Sequence, residues 1–157
     1  KRRPQVRRIG QINYRMALFI GLFQFLALVP DFNLPTPLAR SVLPTEIPRS
    51  DAVYNIAHGA MVLKALELGD EKLLRNAMQD RLHQGYRKKL IPDFDAIQAL
   101  IRTTGAAFCL SGAGPTLLCI TQDPGLEEKL TEKLPKITTA HWDILPLHIE
   151  FQGAHRV

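Results

Sequence analysis

Residues 106–121 read AAFCLSGAGPTLLCIT, and this stretch decides the fold. Two short apolar runs, residues 106–110 and 116–121, lie on either side of the glycine-rich sequence SGAGP. Short apolar runs that end at turn residues are typical of buried strands, and glycine supplies the backbone conformations that a tight turn needs. The stretch therefore predicts two strands joined by a turn.

Three helices are predicted before this hairpin. Ser50 is a candidate N-cap and Gly69 a candidate end for the first helix, and Asp70 is a candidate N-cap for the second. Two helices joined by Gly-Asp predict a helical hairpin. A third helix is predicted from Asp93 to Gly105. The first helix is indicated by apolar residues at near-helical spacing: Val53, Ile56, Ala57, Ala60, Leu63 and Ala65.

Further elements lie at both ends of the chain. Residues 23–29 are predicted to form a buried strand, and Asp123 and Pro124 predict the start of a helix. Residues 145–151 alternate between apolar and polar positions, as a half-buried strand does. The order β-α-β-β-α-β is that of the split, ferredoxin-like arrangement. We therefore predict an α+β fold, with an antiparallel sheet and helices on one face.

A cluster of basic residues and a long apolar stretch both lie near the N-terminus. The chain has 20 Lys and Arg against 15 Asp and Glu, a net charge of +5, and six of the basic residues lie in its first 15 positions. Because the remainder is nearly neutral, we predict no nucleic-acid partner. The apolar stretch 16–29 is too short to span a bilayer as a helix, so we predict no membrane segment. We divide the chain into residues 1–22, an arm expected to be non-native or disordered, and a folded domain, residues 23–157.

The two cysteines, Cys109 and Cys119, lie inside apolar runs and have no C-x-x-C or metal-ligand spacing. We predict buried, reduced thiols and no metal site. Such thiols fit a reducing compartment, and we expect a cytoplasmic protein.

The glycine-rich turn is the first candidate site. Successive exposed N–H groups in such a turn form a concave site for anions, although a hairpin that only needs glycine to turn explains the sequence equally well. The hydroxyl groups of Ser111 and Thr116 could add donors to the loop. The candidate residues are Ser111, Gly112, Ala113, Gly114, Pro115 and Thr116.

Two further segments carry candidate binding residues. The sequence DRLHQGYRKKLIP, residues 80–92, contains Arg87, whose planar guanidinium suits capture of a carboxylate. His83 in the same segment is either a hydrogen-bonded structural histidine or a general base, and its role stays open. The sequence VPDFNLPTPLARSVLP, residues 29–44, places Thr36 four residues before Arg40. Arg40 either points at a ligand from a short helix or forms a surface ion pair.

These three segments, in this order, resemble the C-terminal half of the homoserine kinases, which belong to the GHMP kinase superfamily. The resemblance implies ATP-dependent phosphorylation of the L-homoserine hydroxyl to O-phospho-L-homoserine, in threonine biosynthesis. It implies that Thr36, Arg40 and Arg87 lie at the substrate, with the two arginines holding its carboxylate, and that His83 lies in the same site. It also implies that residues 111–116 pack beside the ATP phosphates. No residue is assigned as catalytic.

The resemblance also implies a part that this chain lacks. Nothing here matches the phosphate-binding motif P-x-x-x-G-L-G-S-S-A of the family's N-terminal half. ATP and Mg²⁺ are therefore expected as cofactors of the complete enzyme, and this chain alone is expected to bind neither tightly and to be inactive. A homodimer is implied as well.

Two other functions remain possible from the sequence. The first is a non-catalytic, amino-acid-binding regulatory module that uses the same arginines. The second is an RNA-recognition-like domain, which would need exposed aromatic residues on its central strands, and these strands do not supply them.

Overall fold

The protein, described by a computed structural model over residues 21–150, is built on one four-stranded antiparallel sheet. The basic arm predicted at the N-terminus lies almost wholly outside the described residues. The strand order is β2-β3-β1-β4, which confirms the predicted ferredoxin-like α+β fold. The strands are β1 (Gln24–Pro30), β2 (Ala107–Leu110), β3 (Leu117–Thr121) and β4 (Trp142–Leu147).

Six α-helices accompany the sheet in the described part of the chain. Gly69 ends the longest helix in the left-handed conformation at φ 64°, and the Asp70 carboxylate caps the next helix by accepting the N–H of Leu73 at 2.8 Å. The predicted helical hairpin is therefore confirmed, but the longest helix begins at Arg49 rather than after Ser50. The helices are α1 (Thr36–Ser41), α2 (Arg49–Leu68), α3 (Glu71–Ala77), α4 (Gln84–Arg87), α5 (Phe94–Thr104) and α6 (Leu126–Ile137).

Helices pack on both faces of the sheet, which corrects the expectation of helices on one face. Side chains alternate along a strand, so neighbouring residues face opposite ways. Leu26 and Leu117 point to the face covered by α5 and α6, whereas Phe25 and Leu118 point to the face where α2 and α3 pack. The ferredoxin-like helices are α5 and α6. The hairpin of α2 and α3 is an addition between β1 and α5 that partly covers the second face.

The α2 helix buries a different side from the one that its large apolar residues indicate. Only Ala65 is fully buried, and Val62 and Leu66 pack beside it against the sheet. Val53, Ile56 and Leu63 face outward and are exposed. Since α2 is apolar over most of its circumference, the spacing of apolar residues predicts the helix but not its buried face.

The prediction of buried thiols is confirmed for Cys119 and only in part for Cys109. Both are free thiols; Cys119 is buried and Cys109 is partly buried. Burial raises the pKa of Cys119 to about 12 and that of Cys109 to about 11. Both thiols are therefore protonated and unreactive at neutral pH. No helix within residues 21–150 is long and apolar enough to cross a bilayer.

Candidate functional site

The short helix α1 presents Thr36 and Arg40 to solvent. Pro37 at its start has the fixed backbone angle that suits a first helical turn, and Ala39, which is fully buried, anchors the helix in the core. Residues four apart lie on the same side of a helix, so Thr36 and Arg40 share a face. The side chain of Arg40 forms no ion pair or hydrogen bond within residues 21–150, and the surface ion pair considered for it is absent from that part of the structure.

The glycine loop connects β2 and β3 as a closed hairpin. The Ser111 N–H donates to the Thr116 carbonyl at 2.9 Å, and the Gly114 N–H donates to the Ser111 carbonyl at 3.0 Å. Gly112 and Gly114 have φ values of 59° and 82°, which a side chain would disfavour. At Gly114 a Cβ atom would also lie 2.9 Å from the Leu110 side chain. The positive φ therefore favours glycine at Gly114, and a larger residue would also have to displace the end of the Leu110 side chain.

The tip of this loop is open. Ser111 and Gly112 are exposed, and the N–H groups of Gly112 and Ala113 donate to no acceptor among residues 21–150. Two neighbouring unpaired N–H groups on an exposed turn can bind an anion. The geometry is compatible with the predicted phosphate-side role, which remains a prediction.

Arg87 joins the two preceding regions. Its Nε–H donates to the Ala39 carbonyl at 3.1 Å, and its Nη1–H donates to the Gly112 carbonyl at 2.9 Å. The guanidinium therefore lies between the end of α1 and the glycine loop. Its partner in α1, Ala39, directly precedes Arg40 in the sequence. A guanidinium has five N–H donors, so three remain for a ligand. The three segments singled out in the sequence are adjacent in the structure.

A polar cluster that was not predicted from the sequence supports this segment. The Asp80 carboxylate accepts from Asn55 Nδ2 at 2.6 Å and from the N–H groups of His83 and Gln84 at 2.7 and 2.5 Å. Burial acts to raise the pKa of the Asp80 carboxyl, but these hydrogen bonds outweigh it and hold the pKa below its ordinary value. Asp80 thus caps α4 as an anion. An aspartate four residues before the first residue of the helix was the signal that could have revealed it.

Gln84 and His83 connect this cluster to the sheet and to a cavity. The Gln84 side chain is buried, and its Oε1 accepts the Leu110 N–H at 2.7 Å. A pocket of about 310 Å³ lies between α2, residues 77–84 and β2. His83 lines this pocket; its Nε2 is 3.5 Å from Asp80, and its Nδ1 is buried without a hydrogen-bond partner in the described structure. His83 thus borders the pocket, whereas Arg40 and Arg87 are not among the residues that line it.

The described residues do not provide a site for Mg²⁺. Within residues 21–150 there is no group of three or more His, Cys, Asp and Glu side chains suited to a metal ion. The Asp80 carboxylate, at the start of the segment that contains Arg87, already accepts three hydrogen bonds. Arginine and free N–H groups instead suit anions. The cluster can bind carboxylate or phosphate oxygens.

Comparison with known proteins gives consistent results. A sequence profile described as "GHMP kinases C terminal" matches residues 62–138. A homoserine kinase from Caldicellulosiruptor bescii is 40% identical over 149 residues, which cover 92% of this chain and 48% of that protein. A homoserine kinase from Nostoc punctiforme is also 40% identical, over 80% of this chain and 42% of that protein.

A solved structure has the same fold. The homoserine kinase from Cytophaga hutchinsonii superimposes with a TM-score of 0.73 at 23% identity, over 81% of this chain and 42% of that protein. The chain thus spans less than half the length of these relatives.

Proposed function

This chain belongs to the GHMP kinase superfamily, as a C-terminal domain similar to that of the homoserine kinases, and from this premise we propose that it forms the substrate side of an ATP-dependent homoserine kinase. The complete enzyme transfers the γ-phosphoryl group of ATP to the hydroxyl of L-homoserine, which gives O-phospho-L-homoserine for threonine biosynthesis. We assign this activity to the cytoplasm.

The observation that carries the proposal is the bridge formed by Arg87. It hydrogen-bonds to both the end of α1 and the glycine loop, so a carboxylate at Arg87 would lie close to Arg40 and to the open loop N–H groups. Two guanidinium groups on one carboxylate would set its orientation as well as neutralise its charge. Thr36, on the same face of α1 as Arg40, could donate its hydroxyl to the same ligand.

The glycine loop is proposed to face the phosphates of ATP. Its free N–H groups suit phosphate oxygens, which supports this role. Because the described residues do not fit Mg²⁺, no residue of this chain is proposed as a ligand for the metal. We propose that the ligands for Mg²⁺ and for most of ATP are supplied by another part of the enzyme, so that this chain alone is inactive.

His83 is proposed to support the site rather than to act as a base. Its Nε2 faces the Asp80 carboxylate, and its backbone N–H donates to the same carboxylate at the start of α4. The homodimer implied by the resemblance is retained as a proposal.

Complementation provides the direct test. The chain would be mixed with the separately expressed N-terminal part of the Caldicellulosiruptor bescii relative, and ADP release would be measured with and without L-homoserine. We expect homoserine-dependent ADP release that neither part gives alone. Substitution Arg40→Ala should raise the KM for homoserine at least about tenfold, since a charge-assisted hydrogen bond is lost.

Arg102 provides the matched control, because it is an exposed arginine on α5. Arg102→Ala should leave the KM unchanged. Homoserine binding by the chain, measured by calorimetry, without any ADP release in the mixture would favour the amino-acid-binding module instead. Equal KM values for Arg40→Ala and Arg102→Ala would contradict the proposed role of Arg40.

A further inference from the structure

The tip of the glycine loop is a four-residue turn whose central peptide bond joins Gly112 to Ala113. The Gly114 N–H donates to the Ser111 carbonyl at 3.0 Å, which closes the turn. The φ angle is positive at Gly112, and within residues 21–150 no residue other than glycine has a positive φ. A turn with positive φ at its first central position alone is type II′. The Gly112 carbonyl and the Ala113 N–H are therefore the two ends of the central peptide of a type II′ turn.

Arg87 holds one end of this peptide. Its Nη1–H donates to the Gly112 carbonyl at 2.9 Å, and its Nε–H donates to the Ala39 carbonyl at 3.1 Å, which anchors the guanidinium to α1. A trans peptide is planar, so its C=O and its N–H point in opposite directions. An arginine that fixes the direction of the Gly112 carbonyl therefore also fixes the direction of the Ala113 N–H.

The Ala113 N–H is one of the two free donors that are proposed to face the phosphates. It donates to no acceptor within residues 21–150. An anion bound to it would lie about 8 Å from the Arg87 nitrogen, because the peptide group and two hydrogen bonds separate them. Arg87 would thus act on this anion by orienting the N–H, without touching the anion. Three N–H donors of the guanidinium stay available for a carboxylate.

The central peptide has one alternative orientation, in which the N–H points the opposite way. Rotation of the peptide by about half a turn converts a type II′ turn into type I′, which needs a positive φ at both central positions. The second central position is Ala113, and a side chain disfavours positive φ. Two features therefore keep the N–H in place, the hydrogen bond from Arg87 and the side chain of Ala113.

We propose that Arg87 is a positioning residue for the phosphate side of the site, in addition to binding the substrate carboxylate. It keeps the Ala113 N–H directed at the phosphate by holding the opposite end of the same peptide. This inference rests on the proposed function, because it needs a phosphate at the glycine loop, and it extends that function by linking two anion sites through one side chain. Arg40, whose side chain makes no bond to the loop within residues 21–150, acts on the carboxylate alone.

Titration of the chain with inorganic phosphate, followed by NMR at constant ionic strength, tests the role of Arg87. The amide resonances at positions 112 and 113 are the readout. Arg87→Met removes the bond to the peptide, and Ala113→Gly removes the resistance to rotation without a change of charge. Because the apparent affinity falls with the fraction of turns in the competent orientation, we expect Arg87→Met to weaken phosphate binding at least about threefold and Ala113→Gly less than about twofold.

Combination of the two substitutions separates positioning from charge. If both features hold the same peptide, Arg87→Met with Ala113→Gly should lose more affinity than the product of the single losses, about tenfold or more in total. A guanidinium that acts only through its charge would give a loss equal to the product. The matched control is the cycle between Arg40→Met and Ala113→Gly, in which the losses should multiply. Circular dichroism checks folding, and Arg87→Lys replaces Arg87→Met if the latter is unfolded, because an ammonium lacks the fork that donates to both carbonyls.

Two results would overturn the inference, and they differ in what else they affect. If phosphate shifts the two resonances but the losses from Arg87→Met and Ala113→Gly multiply, Arg87 acts by charge alone and the proposed kinase function stands. If tens of millimolar phosphate shift neither resonance in the unaltered chain, the inference and the phosphate-side role of the loop are both wrong. Homoserine-dependent ADP release in the complementation mixture would then test the kinase assignment independently.

Discussion

Asp93 and Asp80 are two aspartates with the same chemistry in different surroundings. Asp93 is 3% exposed and accepts hydrogen bonds from the Thr139 N–H and hydroxyl, the Ala140 N–H and the Trp142 indole, at 2.8–3.1 Å. Asp80 is only partly buried and accepts three hydrogen bonds at the edge of a pocket. Each collects donors that would otherwise be unpaired.

The difference lies in what each carboxylate connects. Asp93 joins the start of α5 to the segment that enters β4, inside the main core. Asp80 joins α2 to the segment that carries Arg87, at an open surface. We infer that the first cluster stabilises the fold as a whole, whereas the second orders the proposed binding segment. The predictions below test this division.

The largest effect is expected from Asp93→Ala. The substitution leaves four donors without an acceptor in the core, and we expect it to lower the free energy of unfolding by about 3 kcal/mol or more. Urea unfolding followed by Trp142 fluorescence would measure the change. Asp95→Ala is the matched control: Asp95 lies in the first turn of the same helix, and among the described residues its exposed carboxylate pairs only with Lys88. The control should change stability by less than about 1 kcal/mol. Equal losses in the two variants would contradict the role given to Asp93.

A smaller and more local effect is expected from Asp80→Ala. Because water can reach part of this cluster, we expect a loss of about 1–2 kcal/mol. Hydrogen exchange should accelerate at the N–H groups of His83 and Gln84 and stay unchanged in α5 and α6. Gln79→Ala is the control, because Gln79 is an exposed neighbour whose side chain bonds only to the Arg75 carbonyl in the part of the chain that the structure describes. Acceleration spread evenly over the whole chain would argue against a local role.

Part of the fold around these two aspartates could be predicted from the sequence. The hairpin of β2 and β3 follows from its apolar runs and glycines, and the helical hairpin from Gly69 and Asp70, because these signals are local in the chain. The third helix was predicted to start at Asp93, which is the N-cap of α5 in the structure, but the Asp93 carboxylate makes no capping bond. It binds residues 46–49 positions later. Contacts that distant are set by the packing of the sheet and helices, which no local pattern encodes.

The candidate site, too, could be predicted from the sequence only in part. The segments with Arg40, Arg87 and the glycine loop were singled out by residue type, and the structure brings them together. Their support by Asn55, Asp80 and Gln84 was missed. For Asn55 the reason is that a polar residue on α2 has the same appearance in the sequence whether it faces water or a buried carboxylate. The buried side of α2 was equally inaccessible, since apolar residues occupy most of its circumference.

The pH dependence of stability should distinguish the two carboxylates further. Burial acts to raise the pKa of the Asp93 carboxyl, but the bonds from Trp142, Thr139 and Ala140 outweigh it, so its pKa in the folded chain is below the ordinary 3.8. The stabilisation is therefore complete above about pH 4 and is lost as the pH falls through the folded-state pKa. In the Asp93→Asn variant, the urea midpoint of unfolding should fall less steeply as the pH is lowered through the acidic range. If the midpoint of the variant falls as steeply as that of the unaltered chain, other carboxylates cause the loss of stability in acid.

The smallest effect is expected from Asn55→Ala, and it tests whether the Asp80 cluster acts as a unit. Asn55 donates to Asp80 and also accepts the Arg81 N–H at 2.9 Å, so its removal loosens the segment from α2. Asp80 keeps its two backbone donors, and we expect a loss of about 1 kcal/mol. In a double-mutant cycle with Asp80→Ala, the combined loss should be smaller than the sum, because both substitutions remove the same hydrogen bond. The same cycle between Asn55→Ala and Asp93→Ala should be additive, since these residues belong to separate clusters. Additivity in the first cycle would mean that Asp80 orders the arginine segment through its backbone donors alone, without help from α2.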